Sequence, residues 1–453
     1  MTTGKTKKAR QSSERSLLQM TAAQARVFLL KPESYCGIDL PVYFTFARVL
    51  SGVSKELTGK ALASMSKNPR DHEGVNYAML SNKDGRHAWR PLQLIHPALY
   101  MSLVQKITEA AQWKVICDRF KEFQRPANLK CLSLPLEAAP QQKDQAEQIL
   151  NWWQGIEQGS IELALEYNYA FHADITDCHA AIYTHSIAWA VHGKANAKTA
   201  RKDNTLYRIL RYRDDYRIFV QSPQIGEAIL KALTETLIEL GLKLNTSKTT
   251  GAQLIVSNAL KPDKRAWLRS RQDDPNLQKH LLVIHAHGQD FPNSGSLTVA
   301  LTHFHESLSK IKRVNNPLVL VSITTDIAYN SPKAFPVCSA IISKLLSTLA
   351  TDHERMDAIR KIHEKLSQLP NTGHMEVWLQ RISHSFNPSL GYKEALCRLV
   401  KSESVTIWNN DWITSMQLKA VLDPSKIVSK VKLRSLKPVV KPKEIKVFAS
   451  ERY

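Results

Sequence analysis

Two short runs of the chain have the alternating pattern of paired strands. Tyr207-Arg208-Ile209-Leu210-Arg211 and Tyr216-Arg217-Ile218-Phe219-Val220 interleave aromatic, β-branched and aliphatic residues with arginine, and Tyr212-Arg213-Asp214-Asp215 joins them as a tight turn. The pattern predicts a β-hairpin of two half-buried strands with an Asp pair at its tip. Upstream, Phe171-His172-Ala173-Asp174 reads as a short apolar strand that ends in a carboxylate. Downstream, Ser222 and Pro223 form an N-cap and first-turn pair. Ile225, Ile229, Leu233 and Leu237 then keep i, i+4 spacing until Gly241 stops the helix. A second hairpin is expected between Asn82 and Arg86, where Lys83-Asp84-Gly85 is a turn signal. From about residue 263 the apolar spacing becomes helical, over Leu301–Ile311, Ala340–Leu349, Arg355–Leu369, Met375–Ile382 and Lys393–Val400. Pro332, Pro370 and Gly373 break the series, which predicts a stacked helical array behind a mixed front half, an α+β chain overall.

Composition narrows the class. At 453 residues with 43% hydrophobic content, the chain can bury more than one core. Its 62 Lys and Arg against 41 Asp and Glu leave a net charge of +21, which attracts a polyanion and predicts a steep salt dependence of binding. Cys36, Cys117, Cys131, Cys178, Cys338 and Cys397 include no Cys-x-x-Cys pair, which speaks against both a zinc site and a secreted disulfide scaffold. No apolar run reaches roughly eighteen residues, and Met1-Thr2-Thr3-Gly4-Lys5 leads into basic sequence. Neither a signal peptide nor a membrane span is expected, and the bacterial cytoplasm is the expected compartment.

The acidic residues suggest the chemistry. Two Asp on a tight turn put hard oxygen donors into one small volume, which suits Mg²⁺ and leaves part of its shell for substrate phosphates. Asp-Asp turns are also a common structural device. Two metal ions about 4 Å apart need carboxylates from separate segments, and Asp174 supplies the third. Together the Asp174 strand, the Tyr-x-Asp-Asp hairpin and Gly241-Leu242-Lys243-Leu244-Asn245-Thr246-Ser247-Lys248-Thr249 resemble motifs A, C and D of a reverse transcriptase palm, in the family's order. Ala173-Asp174-Ile175-Thr176-Asp177-Cys178, Ile182-Tyr183-Thr184-His185-Ser186-Ile187 and His192-Gly193-Lys194 resemble the bacterial unknown-group, abortive-infection type of these enzymes. Asn76 to Arg86 and Trp89 to Pro97 resemble its fingers, and the helical remainder resembles the helical repeat domain that replaces a thumb in that group.

This resemblance implies an RNA-directed DNA polymerase of an antiphage defence system, with right-hand fingers and palm. It implies two Mg²⁺, or Mn²⁺ in their place, held by Asp174, Asp214, Asp215 and the backbone carbonyl of Ile175. Asp177, Cys178 and His179 line the triphosphate and sugar pocket. Arg90, with Lys83 and Arg86, suits phosphate oxygens of the incoming dNTP, the other reading of Lys83 and Arg86 being solvated hairpin charges. Lys248 matches the motif D lysine, a general acid toward departing pyrophosphate or a phosphate contact. The implied partners are an RNA template, a DNA product and dNTPs, with a non-coding RNA or a second defence protein in addition.

Three positions depart from the family. Only residues 194–206 separate Gly193 from the hairpin strand, too few for the motif B helix that grips the primer. His179 stands where Tyr or Phe is usual, and Ala181 where Ser is usual. Two other readings stay open: a palm that only scaffolds nucleic acid or a partner, and template-independent or protein-primed synthesis.

The expected organisation is a basic leader over 1–16, fingers and palm over 17–262, a helical domain over 263–425 and a basic, phosphate-contacting tail over 426–453. His285, His287, His303 and His305 are spaced without a Cys or carboxylate that would complete a zinc set. Trp267, Trp378, Trp408 and Trp412 fit core packing better than base stacking.

Overall fold

The computed structural model describes residues 15–82, 85, 88–138, 144–176, 207–252, 254–270, 274–388 and 390–445, with the backbone alone at 145–147, 150 and 252. The fold is mixed α+β. Its described residues include seven strands: β1 (Tyr77–Asn82), β2 (Trp89–Leu94), β3 (Leu129–Cys131), β4 (Tyr169–Asp174), β5 (Tyr207–Tyr212), β6 (Asp215–Val220) and β7 (Thr250–Ala252). Two compact units divide the chain, each assembled from separated stretches. Unit one takes the described parts of Met1–Phe28 and Ile107–Ala259, and unit two those of Leu29–Lys106 and Leu260–Tyr453. The expected divisions run along the sequence, whereas these units interleave. The stretch expected to belong with the palm, residues 29–106, shares one core with the C-terminal helices: Tyr43, Met79 and Leu94 lie in the same buried cluster as Trp378, Ile342 and Leu396.

Unit one is built on a five-stranded sheet of order β3-β5-β6-β4-β7, in which only the β3–β5 pair is parallel. The predicted helix forms over Pro223–Glu239, with Ser222 in extended conformation before Pro223 and Gly241 at φ 73° beyond its end. It lays Ile225, Ile229, Leu230 and Leu233 on Phe171, Ile218 and Val220, with Leu237 beside Ala173 and Tyr216. Gly226 is required there, since a Cβ would fall 2.0 Å from the Phe171 ring. On the sheet's other face Phe219, Ala170 and Leu210 meet Ile156 and Ile255. Strand β6 is therefore covered on both sides and buried from Tyr216 to Val220, not half-buried as its arginines suggested.

Unit two surrounds one helix. Phe335–Leu346 is buried all round except at Lys344, and the helices Gly295–Ser309, Pro317–Asn330 and Gly373–Ser383 pack against it. Such a central element differs from the expected serial array, in which each repeat meets only its neighbours. The series also contains Leu277–Asp290 and Pro317–Asn330, which the apolar spacing left unmarked. Trp378, Trp408 and Trp412 are core residues at 1%, 1% and 0% exposure. The segment expected as a basic tail is anchored in this core as far as residue 445. Ile427, Val428, Val440 and Ile445 are buried, and Glu444 pairs with the buried Arg381 guanidinium at 2.9 and 3.0 Å. Among the described residues no helix is long and apolar enough to cross a membrane.

Candidate active site

The hairpin forms over the predicted residues, and its turn is as short as a hairpin allows. Tyr212 pairs with Asp215, so Arg213 and Asp214 alone make the loop. Arg213 takes φ 56°, the positive angle that lets a two-residue turn follow the strand twist. Its backbone N–H donates to Ser133 Oγ at 2.7 Å, and its guanidinium lies over the Tyr212 ring at 5.2 Å. Arg211 lies over Tyr216 at 5.0 Å and donates from Nε to the Arg213 carbonyl at 3.1 Å.

Strand register brings the second segment to the first. Asp174, the last residue of β4, sits directly opposite Asp215, the first of β6. Opposed residues of an antiparallel pair share a face, with Cβ atoms roughly 4.5–5.5 Å apart. The Ile175 N–H donates to the Asp214 carbonyl at 3.2 Å, joining the turn itself to the chain leaving β4. A third segment locks on from the other side. Asn245 N–H donates to the Asp174 carbonyl at 2.7 Å, and Thr176 N–H to the Lys243 carbonyl at 3.0 Å. The Asn245 side chain accepts from Ser247 N and Oγ at 3.1 and 2.7 Å, and this turn carries Lys248 back over the strand end.

Lys248 Nζ then stands 3.2 Å from each oxygen of Asp174. The carboxylate side chain is 11% exposed and the lysine 60%, so a buried anion is met by a cation reaching in from solvent. The ammonium is equidistant from the two oxygens, so its charge is shared by the whole carboxylate. The hard oxygen donors of Asp174 and Asp215 suit Mg²⁺. Among the described residues no three His, Cys, Asp or Glu side chains gather into a set that could hold a metal. Asp174 and Asp215 are thus brought together by register, with Asp214 beside them in the turn.

Beneath the pair lies a charged layer that the sequence reading missed. Arg217 follows Asp215 by two positions and faces the same side of the sheet; its register partner is His172, two before Asp174. The Arg217 guanidinium is buried, donating to Ser160 Oγ at 2.8 Å and the Ala259 carbonyl at 3.1 Å. Burial lowers its proton affinity, and the charges of Asp215 and of buried Glu157 oppose that shift. His172 is pushed down to about 4 by burial and then by Arg217, so it is neutral. The available signal was an arginine in phase with Asp215 inside an otherwise apolar strand.

The remaining predicted residues are elsewhere. Arg90 is an exposed residue of β2, paired with Ser81, in unit two. Lys83, Arg86, Asp177, Cys178 and His179 lie outside the described residues, as does all of 177–206, where the motif B departure falls. His285 and His287 are satisfied singly, by Asp326 and Ser296 Oγ at 2.9 and 2.7 Å. The chain matches no protein-family model and no curated protein sequence.

Proposed function

We propose that the chain is an RNA-directed DNA polymerase of the bacterial antiphage defence type. In this reading unit one carries the palm, and the β1–β2 hairpin and the helices of unit two serve as fingers and as the helical replacement for a thumb. The observation that carries it is the pairing of Asp174 with Asp215 at the open end of two hydrogen-bonded strands, with the Lys248 ammonium on Asp174. Carboxylates held by strand register need little reorganisation to meet a cation. A pair of Mg²⁺ ions held there would supply activation of a primer hydroxyl and charge neutralisation at a triphosphate. Asp174, Asp214 and Asp215 supply the anionic ligands, and the Ile175 carbonyl adds a neutral one. Lys248, exposed along most of its length, donates a proton to departing pyrophosphate. The +21 charge holds the RNA template and DNA product without reading sequence.

Primer extension on an RNA template with dNTPs and Mg²⁺ or Mn²⁺ tests this. Incorporation by the unaltered chain that disappears in Asp214→Ala and Asp215→Ala is the expected outcome; no incorporation under any primer condition refutes it. One observation favours a second reading. Asp174 is already neutralised by Lys248, as it would be in a palm that only scaffolds nucleic acid or a partner. Tight RNA binding left unchanged by both substitutions, without incorporation, identifies that case. Incorporation without template or nucleic-acid primer identifies template-independent or protein-primed synthesis.

A further inference from the structure

Unit two holds a cavity of about 620 Å³, open to solvent and lined by the 73–78 and 406–411 segments, a volume that suits a small ligand. Its construction starts from His96, which is fully buried. The Ala98 N–H donates to His96 Nδ1 at 3.2 Å, so the ring proton is on Nε2. Nε2 lies 2.9 Å from Asn410, which must therefore offer its amide oxygen. The backbone N–H of His96 likewise donates to Asn76 Oδ1 at 2.8 Å. One histidine thus fixes the orientation of two asparagine side chains on the cavity wall. Each has its oxygen committed and its NH₂ left over, with no bond from either nitrogen to a described residue.

The frame around them is tied across both segments. His96 packs edge-on against Trp412 at 4.9 Å, and Trp408 and Trp412 are buried beside it. Asn409 clips the two segments together through Nδ2 to the Glu73 carbonyl at 2.8 Å and its backbone N–H to the Gly74 carbonyl at 3.0 Å. Burial holds the His96 pKa down to about 4, so the ring stays neutral and its proton stays on Nε2 at physiological pH. Exposed Glu73 and Asp411 add two carboxylates to the wall. The lining therefore presents oriented N–H donors and, beside them, acceptor-only anions.

We propose that this cavity binds a guanine ring. Guanine carries two adjacent acceptors, O6 and N7, suited to the amides of Asn76 and Asn410, and N–H donors at N1 and the 2-amino group, suited to Glu73 and Asp411. Adenine puts an amino group where guanine has O6, and so sets donor against donor. The ring can come from a free guanine nucleotide or from an unpaired guanine in an RNA strand. The cavity and its partners belong to unit two and do not depend on the carboxylates of unit one.

Equilibrium binding to the full chain distinguishes these sources. The probes are guanosine monophosphate, adenosine monophosphate, and single-stranded RNA oligomers with one guanine or adenine at a central position. Guanine is expected to bind roughly tenfold or more tightly than adenine in at least one of the two forms. Discrimination by the mononucleotide assigns the site to free nucleotide, and discrimination by the oligomer alone assigns it to strand guanine. Asn76→Asp and Asn410→Asp keep the oxygen that His96 needs and remove the NH₂, so each should lose most of that preference at an unchanged melting midpoint. Glu73→Gln and Asp411→Asn, on exposed residues, should weaken guanosine monophosphate more than inosine monophosphate, which lacks the 2-amino group. Equal binding of guanine and adenine in both forms, or no binding of either, overturns the proposal, and it does so from the unaltered chain alone.

Discussion

At the residue scale, Lys248 and Arg217 make opposite demands on the fold although both serve the acidic pair. Lys248 is largely solvent-exposed, and ion pairs of that kind contribute about 0–1 kcal/mol. Lys248→Ala should leave the urea midpoint almost unmoved and, on the proposed function, slow nucleotide incorporation; a large stability loss with normal incorporation would make its role structural. Arg217 is enclosed, and removing it takes the donor from Ser160 and the Ala259 carbonyl and a positive charge from near Glu157 and Asp215. Arg217→Met is expected to destabilise unit one by about 1–3 kcal/mol, read by urea unfolding. His96 and His305 give unit two a pH dependence. Burial pushes each from 6.5 down to about 4, assisted at His305 by Lys344 and opposed at His96 by its bond to Asn410. Below pH 6.5 the unfolded chain takes up protons that the folded chain refuses until about pH 4. Their contribution is complete above that window and is lost as pH falls through it, at up to about 1.4 kcal/mol per pH unit for each histidine. A urea midpoint for unit two that does not fall between pH 7 and 5, or an equally steep slope in His305→Leu, would remove the histidines from this account.

Elements show where the one-dimensional pattern sufficed. The hairpin and the Pro223–Glu239 helix formed where turn chemistry, the Ser-Pro start and the apolar spacing put them, because those signals act within a few residues. The apolar spacing does not mark Leu277–Asp290 because His280, His287 and Gly288 interrupt its buried face. Strand β6 departs from its half-buried pattern because a buried arginine looks like a solvent-facing one until its partners, Ser160 and Ala259, arrive from elsewhere in the chain. Gly226 is a sharper case. In a helix interior, Gly→Ala ordinarily stabilises by about 0.5–1 kcal/mol. Here the added methyl meets Phe171 well inside contact distance, and overpacking of this kind costs about 1–3 kcal/mol. Gly226→Ala should lower the unfolding midpoint, and a rise would mean that Phe171 can move aside.

For the whole molecule, net charge and the two-unit division matter most. On the proposed function, the logarithm of nucleic-acid affinity should fall linearly with log salt, and a salt-independent affinity would exclude phosphate contacts as its source. Residues 426–445 carry basic side chains but bury Ile427, Val428, Val440 and Ile445. Truncation after residue 425 should therefore unfold or strongly destabilise unit two, whereas loss of RNA affinity with unchanged stability would restore the tail reading. By itself the sequence determined the mixed class, the hairpin with its Asp pair, the Pro223–Glu239 helix and a strongly basic net charge, since each depends on local spacing or on composition. Tertiary structure alone decided the β4–β6 register that sets Asp174 against Asp215, the burial of Arg217, the joining of residues 29–106 to the C-terminal helices, and the His96-oriented amides. These are contacts between distant segments, and packing selects them through buried surface and satisfied polar groups that no local window contains.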